Sequence, residues 1–278
     1  MKSIALGQYY PSNSVLHKAD PRIKIILTIL YIVCSFLCKN VLSFALLAVS
    51  AILLIVIGKI PLKTVFGGLR MILFILIFTS AINVFMTSGQ TLLFGWKFIR
   101  IYAEGIYAAI FMVIRISALV IGTSVLLTYT TTPIDLTYAL EDLLSPLKKL
   151  HVPVHEFAMM MTIALRFIPT LVEETDKIMT AQKARGVDFS SGSLIQRAKA
   201  LIPILIPLFV SAFNRAADLA TAMECRCYHG GEGRTRMKVR HVRVIDFIPL
   251  VAVILLGAAL IVLNILDIGY TVLYGLIF

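Results

Sequence analysis

Residues 41–57 read VLSFALLAVSAILLIVI, a run without a single charge. In helix it is about 26 Å long, close to the roughly 30 Å of a bilayer's hydrocarbon. It is apolar on every face, which a helix flanking a water-soluble core is not. Ile23 to Leu37 precedes it with only Cys38, Lys39 and Asn40 between, so the two runs predict a tight helical hairpin. Both are short for a bilayer and require tilt or local thinning. Met71 to Met86, Ile106 to Leu127 and Ile245 to Leu266 are further runs of this kind, each bounded by charge or by Gly, Asn and Pro. The expectation is an all-α integral membrane protein with about five transmembrane helices.

The composition agrees, with 59% hydrophobic and 15% charged residues. A net charge of +11 is read as a Lys/Arg excess that fixes topology and meets anionic lipid heads, not as a nucleic-acid surface. Met1 to Asp20 is polar, with Pro11, Asn13, Lys18 and Asp20, and lacks the pattern of a cleaved signal, so the first span is expected to target the chain.

Charge is unevenly placed. Tyr129 to Val244 holds 15 Lys/Arg and 11 Asp/Glu, most of the charge in the protein. The organisation expected is a membrane domain of four spans over 1–128, a cytoplasmic domain over 129–244 and a last span within 245–278. Lys2, Lys18, Arg22, Lys59, Lys63 and Arg70 lie on the side shared with 129–244, against Lys39, Lys97 and Arg100 on the other. The positive-inside rule then places the N-terminus in the cytoplasm of a cell-membrane protein and the C-terminus outside.

Two apolar stretches inside 129–244, Phe157 to Val172 and Leu201 to Phe213, are not assigned as spans. The second is 13 residues, about 20 Å, and holds Pro203 and Pro207. Two more spans would also move Lys177, Lys183, Arg185, Arg197 and Lys199 outside. Amphipathic helices at the membrane surface fit the pattern. Leu165, Ile168, Val172, Thr175, Ile178 or Met179, and Gln182 form one stripe, with Glu173, Glu174, Asp176, Lys177 and Lys183 assigned to the opposite face. Leu201, Leu205, Leu208, Ala212, Leu219, Ala222 and Met223 form a second, interrupted by Arg215 and Asp218.

Each of these helices ends on an arginine among small residues: Ala184, Arg185, Gly186 in the first and Cys225, Arg226, Cys227 in the second. Gly186 is a natural helix C-cap, and Gly230, Gly231 and Gly233 stop the second helix. A terminal arginine complements a helix dipole; a matched pair suggests contacts with a cytoplasmic partner. The runs Thr131-Thr132-Pro133 to Leu136, Ala164-Leu165-Arg166-Phe167-Ile168-Pro169, Ala181 to Gly186, and Ala222-Met223-Glu224 to Thr235 resemble the transmembrane T component of energy-coupling factor vitamin transporters.

The resemblance implies a non-catalytic subunit of an ABC-type importer, whose two coupling helices dock their tips on two cytoplasmic ATPase subunits and pass motion to a small membrane substrate-binding S component. Ala184, Arg185, Gly186, Cys225, Arg226 and Cys227 would be the ATPase-docking residues. The second tip departs from the family's Ala-Arg-Gly, which puts its cap geometry in question. Arginine suits such a contact because its planar fork of five donors meets carboxylates or carbonyls at an interface.

No cofactor is expected. The chain has no Gly-x-x-x-x-Gly-Lys-Ser/Thr loop, so ATP is left to the partners. His151 and His155 flank Pro153 without a zinc-peptidase pattern, and Cys34, Cys38, Cys225 and Cys227 lack zinc-site spacing, so no metal site is read and the cysteines are taken as reduced. Arg115, deep inside a span, is a functional suspect or an interhelical arginine. A self-contained secondary carrier would use Arg115 and Asn83 along a substrate path, but the halves show no matching interrupted spans. Arg234, Arg236, Lys238, Arg240 and Arg243 read as a topology anchor before the last span.

Overall fold

The computed structural model describes residues 9–87, 92–96, 99–189, 193–230 and 243–265. Apart from a short antiparallel hairpin, β1 (Leu92–Trp96) and β2 (Ile99–Tyr102), the described chain is helical. Contacts divide it into two units, one of residues 7–139 with 240–278 and one containing 140–239. The division falls between Ala139 and Leu140, inside helix α6 (Pro133–Leu143) rather than ahead of it.

The first unit is built on α2 (Pro21–Leu37), α3 (Val41–Gly58), α4 (Leu62–Met86), α5 (Ala103–Thr123) and α9 (Ile248–Ile265), with the short α1 (Val15–Lys18) ahead of them. Asp20 starts α2: its Oδ1 accepts the Arg22 N–H at 2.9 Å, and Pro21, with no N–H to satisfy, takes the first position. Ile23, Leu27, Tyr31 and Cys34 of α2 face inward at three- and four-residue steps, while Ile26, Ile29, Val33 and Phe36 face outward and are equally apolar. This is the pattern of a bundle whose surroundings are hydrocarbon.

The core joins α2, α3, α5 and α9 through Tyr31, Phe44, Leu47, Ala118 and Leu260. Glycines let helices approach. Gly105 of α5 lies against the Asn83 and Val84 carbonyls of α4, and Gly257 of α9 against the Cys34 sulfur. Alpha-helix α4 bends by 58° between Arg70 and Ile72. The bend follows the Gly67-Gly68 pair, the kind of sequence at which helices kink.

Where α2 turns into α3 the last carbonyls of α2 have no helical partners, and other helices supply donors. Asn264 Nδ2 of α9 donates to Leu37 O at 2.6 Å and Arg115 Nη2 of α5 to Cys38 O at 2.9 Å; in return Asn40 Nδ2 of the turn donates to Leu263 O of α9 at 3.2 Å. At the other end of the bundle α5 runs into a π turn, Ser124–Thr128, closed by the Tyr129 N–H on Ser124 O at 2.8 Å. The buried Lys24 donates to Thr130 O at 2.9 Å and to Thr131 Oγ1 at 3.3 Å. Thr132 Oγ1 then accepts the Asp135 N–H ahead of Pro133, which starts α6.

The second unit holds a 3₁₀ turn (Ser145–Leu150), α7 (Val154–Ala184) and α8 (Leu194–Cys225). Ser193 caps α8 in a full capping box with Gln196. Helix α8 has 32 residues, so the apolar stretch 201–213 is not an isolated 13-residue segment. By length and composition 195–225 could cross a bilayer, as could 41–58, 103–128, 248–265 and the bent α4, whereas α2 stops at 17 residues. The count of four or five among the described residues matches the sequence reading, but its membership does not. The length argument against 201–213 fails because Pro203 and Pro207 are carried inside a longer helix.

The Tyr31 ring lies over Gly122 of α5, and its O–H donates to Ala118 O at 3.4 Å. A methyl at residue 122 would overlap that ring. Gly122→Ala is expected to destabilise the bundle by about 1–3 kcal/mol, read as a lower midpoint of thermal unfolding in detergent; an unchanged midpoint would show that Tyr31 can move aside.

Candidate functional site

The two arginine tips have the same backbone. Arg185 closes α7 with φ −84°, and Gly186 follows in the left-handed region at φ 87°. Its N–H donates to Lys183 O at 3.0 Å and that of Val187 to Gln182 O at 3.1 Å. Arg226 closes α8 with φ −94°, and Cys227 follows at φ 55°. There the Cys227 N–H donates to Glu224 O at 2.8 Å and that of Tyr228 to Met223 O at 3.0 Å. Both are Schellman closures, bond for bond.

The sequence left the second cap uncertain because it lacks glycine after the arginine. The structure gives it the same geometry, with a cysteine accepting the left-handed strain. Ala184, Arg185, Gly186, Cys225, Arg226 and Cys227 are all exposed. Gly231, Gly233 and the basic run at 234, 236, 238 and 240 lie outside the described residues.

Between the tips α7 and α8 pair along one side. Pro207 has no N–H for the carbonyl four residues back, and Gln182 Nε2 of α7 donates to that freed Pro203 O at 3.5 Å. Nearer the other end Arg215 Nη2 of α8 donates to Glu174 Oε2 of α7 at 2.7 Å, and Ser211 Oγ donates to Glu174 Oε1 at 2.5 Å. Glu174 therefore faces α8, not the opposite side as the sequence suggested. Its spacing from Leu171, Ile178 and Gln182 is helical, and that was the signal for this placement. Arg215, which looked like an interruption of an apolar stripe, is its partner.

The outer faces of both helices remain apolar, with Phe157, Met160 and Met161 on α7 and Ile206, Phe209 and Phe213 on α8 all more than half exposed. A groove of about 430 Å³ runs along α8, bordered by Leu171, Leu205 and Leu208. His155 Nδ1 lies 2.9 Å from Glu141 Oε1, near the start of α7, far along the chain from either tip.

Arg115 is not brought to the tips. Besides Cys38 O it stacks over the Phe44 ring at 5.1 Å, so it ties α5 to the α2–α3 turn. Asn83 donates to Thr79 O and to the Met112 sulfur, both at 2.9 Å, and no hydrogen bond joins it to Arg115 among the described residues. No group of three or more His, Cys, Asp or Glu able to hold a metal occurs among the described residues.

Apolar helices long enough to cross a bilayer, with two long amphipathic helices that end in matching exposed arginines, define a multi-pass helical membrane protein. A family model described as a cobalt transport protein, CbiQ, matches residues 12–237. A Ruminiclostridium cellulolyticum protein named energy-coupling factor transporter transmembrane protein EcfT is 58% identical over 86% of this chain and 88% of its own length. Proteins of the same name from Clostridium kluyveri and Bacillus subtilis are 51% and 48% identical, over 89% and 86% of this chain and 92% and 89% of their own lengths. The chain belongs to this family of transmembrane components of energy-coupling factor transporters.

Cys227→Gly should relieve about 1 kcal/mol of left-handed strain, seen as slower amide exchange at residues 227 and 228; faster exchange would mean that the thiol itself holds the turn. Arg115→Met leaves the Cys38 carbonyl without its donor and should cost about 1–3 kcal/mol, measured as earlier thermal unfolding; an unchanged midpoint would show that another donor replaces it.

Proposed function

We propose that the chain couples two cytoplasmic ABC-type ATPase subunits to a small membrane protein that captures a vitamin or similar micronutrient, with Arg185 and Arg226 docking one ATPase each. The observation that carries this reading is the identity of the two tips. Two helices of 31 and 32 residues end in the same hydrogen-bonded turn with an exposed arginine at the same position, although one turn has glycine and the other cysteine. Such duplication suits a partner that presents the same groove twice, as a pair of related ATPases does.

In this reading the N-terminus and the 129–244 region face the cytoplasm, and the C-terminus lies outside. Helices α7 and α8 lie at the inner membrane surface, although α8 is long enough to cross. Crossing would require Lys199 and Arg215, on either side of its apolar centre, to be carried through or to opposite faces of the bilayer. The exposed apolar faces of α7 and α8 meet lipid and the substrate-binding partner, and the coupling subunit does not choose the substrate. ATP is bound and hydrolysed by the partners, and this chain contributes no catalytic group.

The physical task is transmission. An arginine seated among carboxylates or carbonyls of an ATPase groove moves with that subunit, because breaking a bidentate, desolvated contact costs more than tilting a helix held by few contacts. Opening and closing of the ATPase pair then changes the angle of α7 and α8 beneath the substrate-binding partner. Reversing both tip charges, Arg185→Glu with Arg226→Glu, is expected to lower ATP-driven uptake by about two orders of magnitude in stably inserted protein. Full uptake by that double variant would refute the docking role.

A further inference from the structure

Glu174 and Arg215 each stand eleven residues ahead of a tip arginine, Arg185 and Arg226. Eleven residues make about three turns and ~16 Å of rise, so each of the two lies on the same side of its helix as the arginine it precedes. The cross-contacts run antiparallel, Glu174 with Ser211 and Arg215, Gln182 with Pro203. The two arms therefore leave the Glu174–Arg215 contact in opposite directions and with equal length.

Both oxygens of the Glu174 carboxylate are taken by α8, one by Arg215 Nη2 and one by Ser211 Oγ, and Arg215 Nε donates back to Ser211 Oγ at 3.4 Å. Apolar side chains flank this cluster, among them Leu171, Leu208 and Ala212. Packed apolar ridges alone permit one helix to slip past another by a turn. A slip of one turn here would separate the charges by about 5 Å and leave Glu174 against leucines. The pair itself adds little stability where it is part exposed, with side chains 22% and 37% accessible. What it does fix is register.

We propose that Glu174, Ser211 and Arg215 form the fulcrum of the coupling pair, a positioning site that converts displacement of one arginine tip into rotation of both helices instead of sliding. This rests on the reading of Arg185 and Arg226 as docking tips. The test uses the full chain assembled with its ATPases and one substrate-binding partner in proteoliposomes, with ATPase capture, ATP hydrolysis and uptake measured together. Glu174→Gln and Arg215→Gln should capture the ATPases and hydrolyse ATP as the parent does, while uptake per ATP falls about tenfold. The charge swap Glu174→Arg with Arg215→Glu should recover uptake per ATP to within about threefold of the parent.

Undiminished uptake per ATP in the single variants overturns the fulcrum, as does a swap that recovers nothing. A parent chain that captures no ATPase sinks the docking reading instead. The fulcrum is then still decided on the chain alone, by the distance between spin labels on Ala184→Cys and on Cys225 in a Cys227→Ser background. One narrow distance that broadens in Glu174→Gln supports it, and an unchanged distribution overturns it.

Discussion

Every helix end that is removed from water must find donors for its last carbonyls, and in this chain that constraint organises the bundle. At the α2–α3 turn Leu37 and Cys38 present carbonyls inside the bundle, next to side chains that are almost wholly buried, among them Cys38, Asn40 and Ser43. Asn264 and Arg115 reach them from two other helices. A turn that needs side chains from α5 and α9 can form only where those helices are docked, so these hydrogen bonds specify which helices neighbour it. At the opposite end Lys24 does the same for Thr130 O and holds the start of the connection to α6 against α2. The exposed ends of α7 and α8 close their carbonyls locally and leave Arg185 and Arg226 exposed.

The membrane character was legible because it rests on composition over whole segments: residues 41–57 admit no other reading in helix. The arginine tips were legible because a helix stop is a local signal, glycine after the last turn. The second tip was less so, since Cys227 gives no such signal and adopts the left-handed turn only because the Schellman bonds repay it. Arg115 was visible as a charge in an apolar run, but its role was not, because its partner is a backbone carbonyl 77 residues away and carbonyls leave no trace in sequence. Glu174 was misplaced for a related reason. A carboxylate was assigned to the wet face by type, whereas its spacing put it on the packed one, and only the opposing Arg215 makes that burial tolerable.

The two units also differ in how they resist deformation. In the bundle, helices interlock through glycines and large side chains such as Tyr31 and Phe44, so a change of angle there opens cavities and loses packing at several sites together. Between α7 and α8 the polar links among the described residues include one amide to a proline-freed carbonyl and one carboxylate cluster. Rotation about such a contact breaks little, and Pro169, Pro203 and Pro207 soften the helices by removing rungs of their ladders. In the proposed docking role the arms must stay stiff near the tips to carry a load. The prolines meet that need by position: Pro169 lies on the far side of Glu174 from Arg185, and Pro203 and Pro207 lie on the far side of Arg215 from Arg226. The eleven-residue arm between each clamp residue and its arginine is free of proline and glycine, so it is an uninterrupted helix. The prolines thus lie in the half of each helix that faces away from its own tip, where, in the proposed coupling, bending would change the exposed apolar surface without slackening the arm that receives the force.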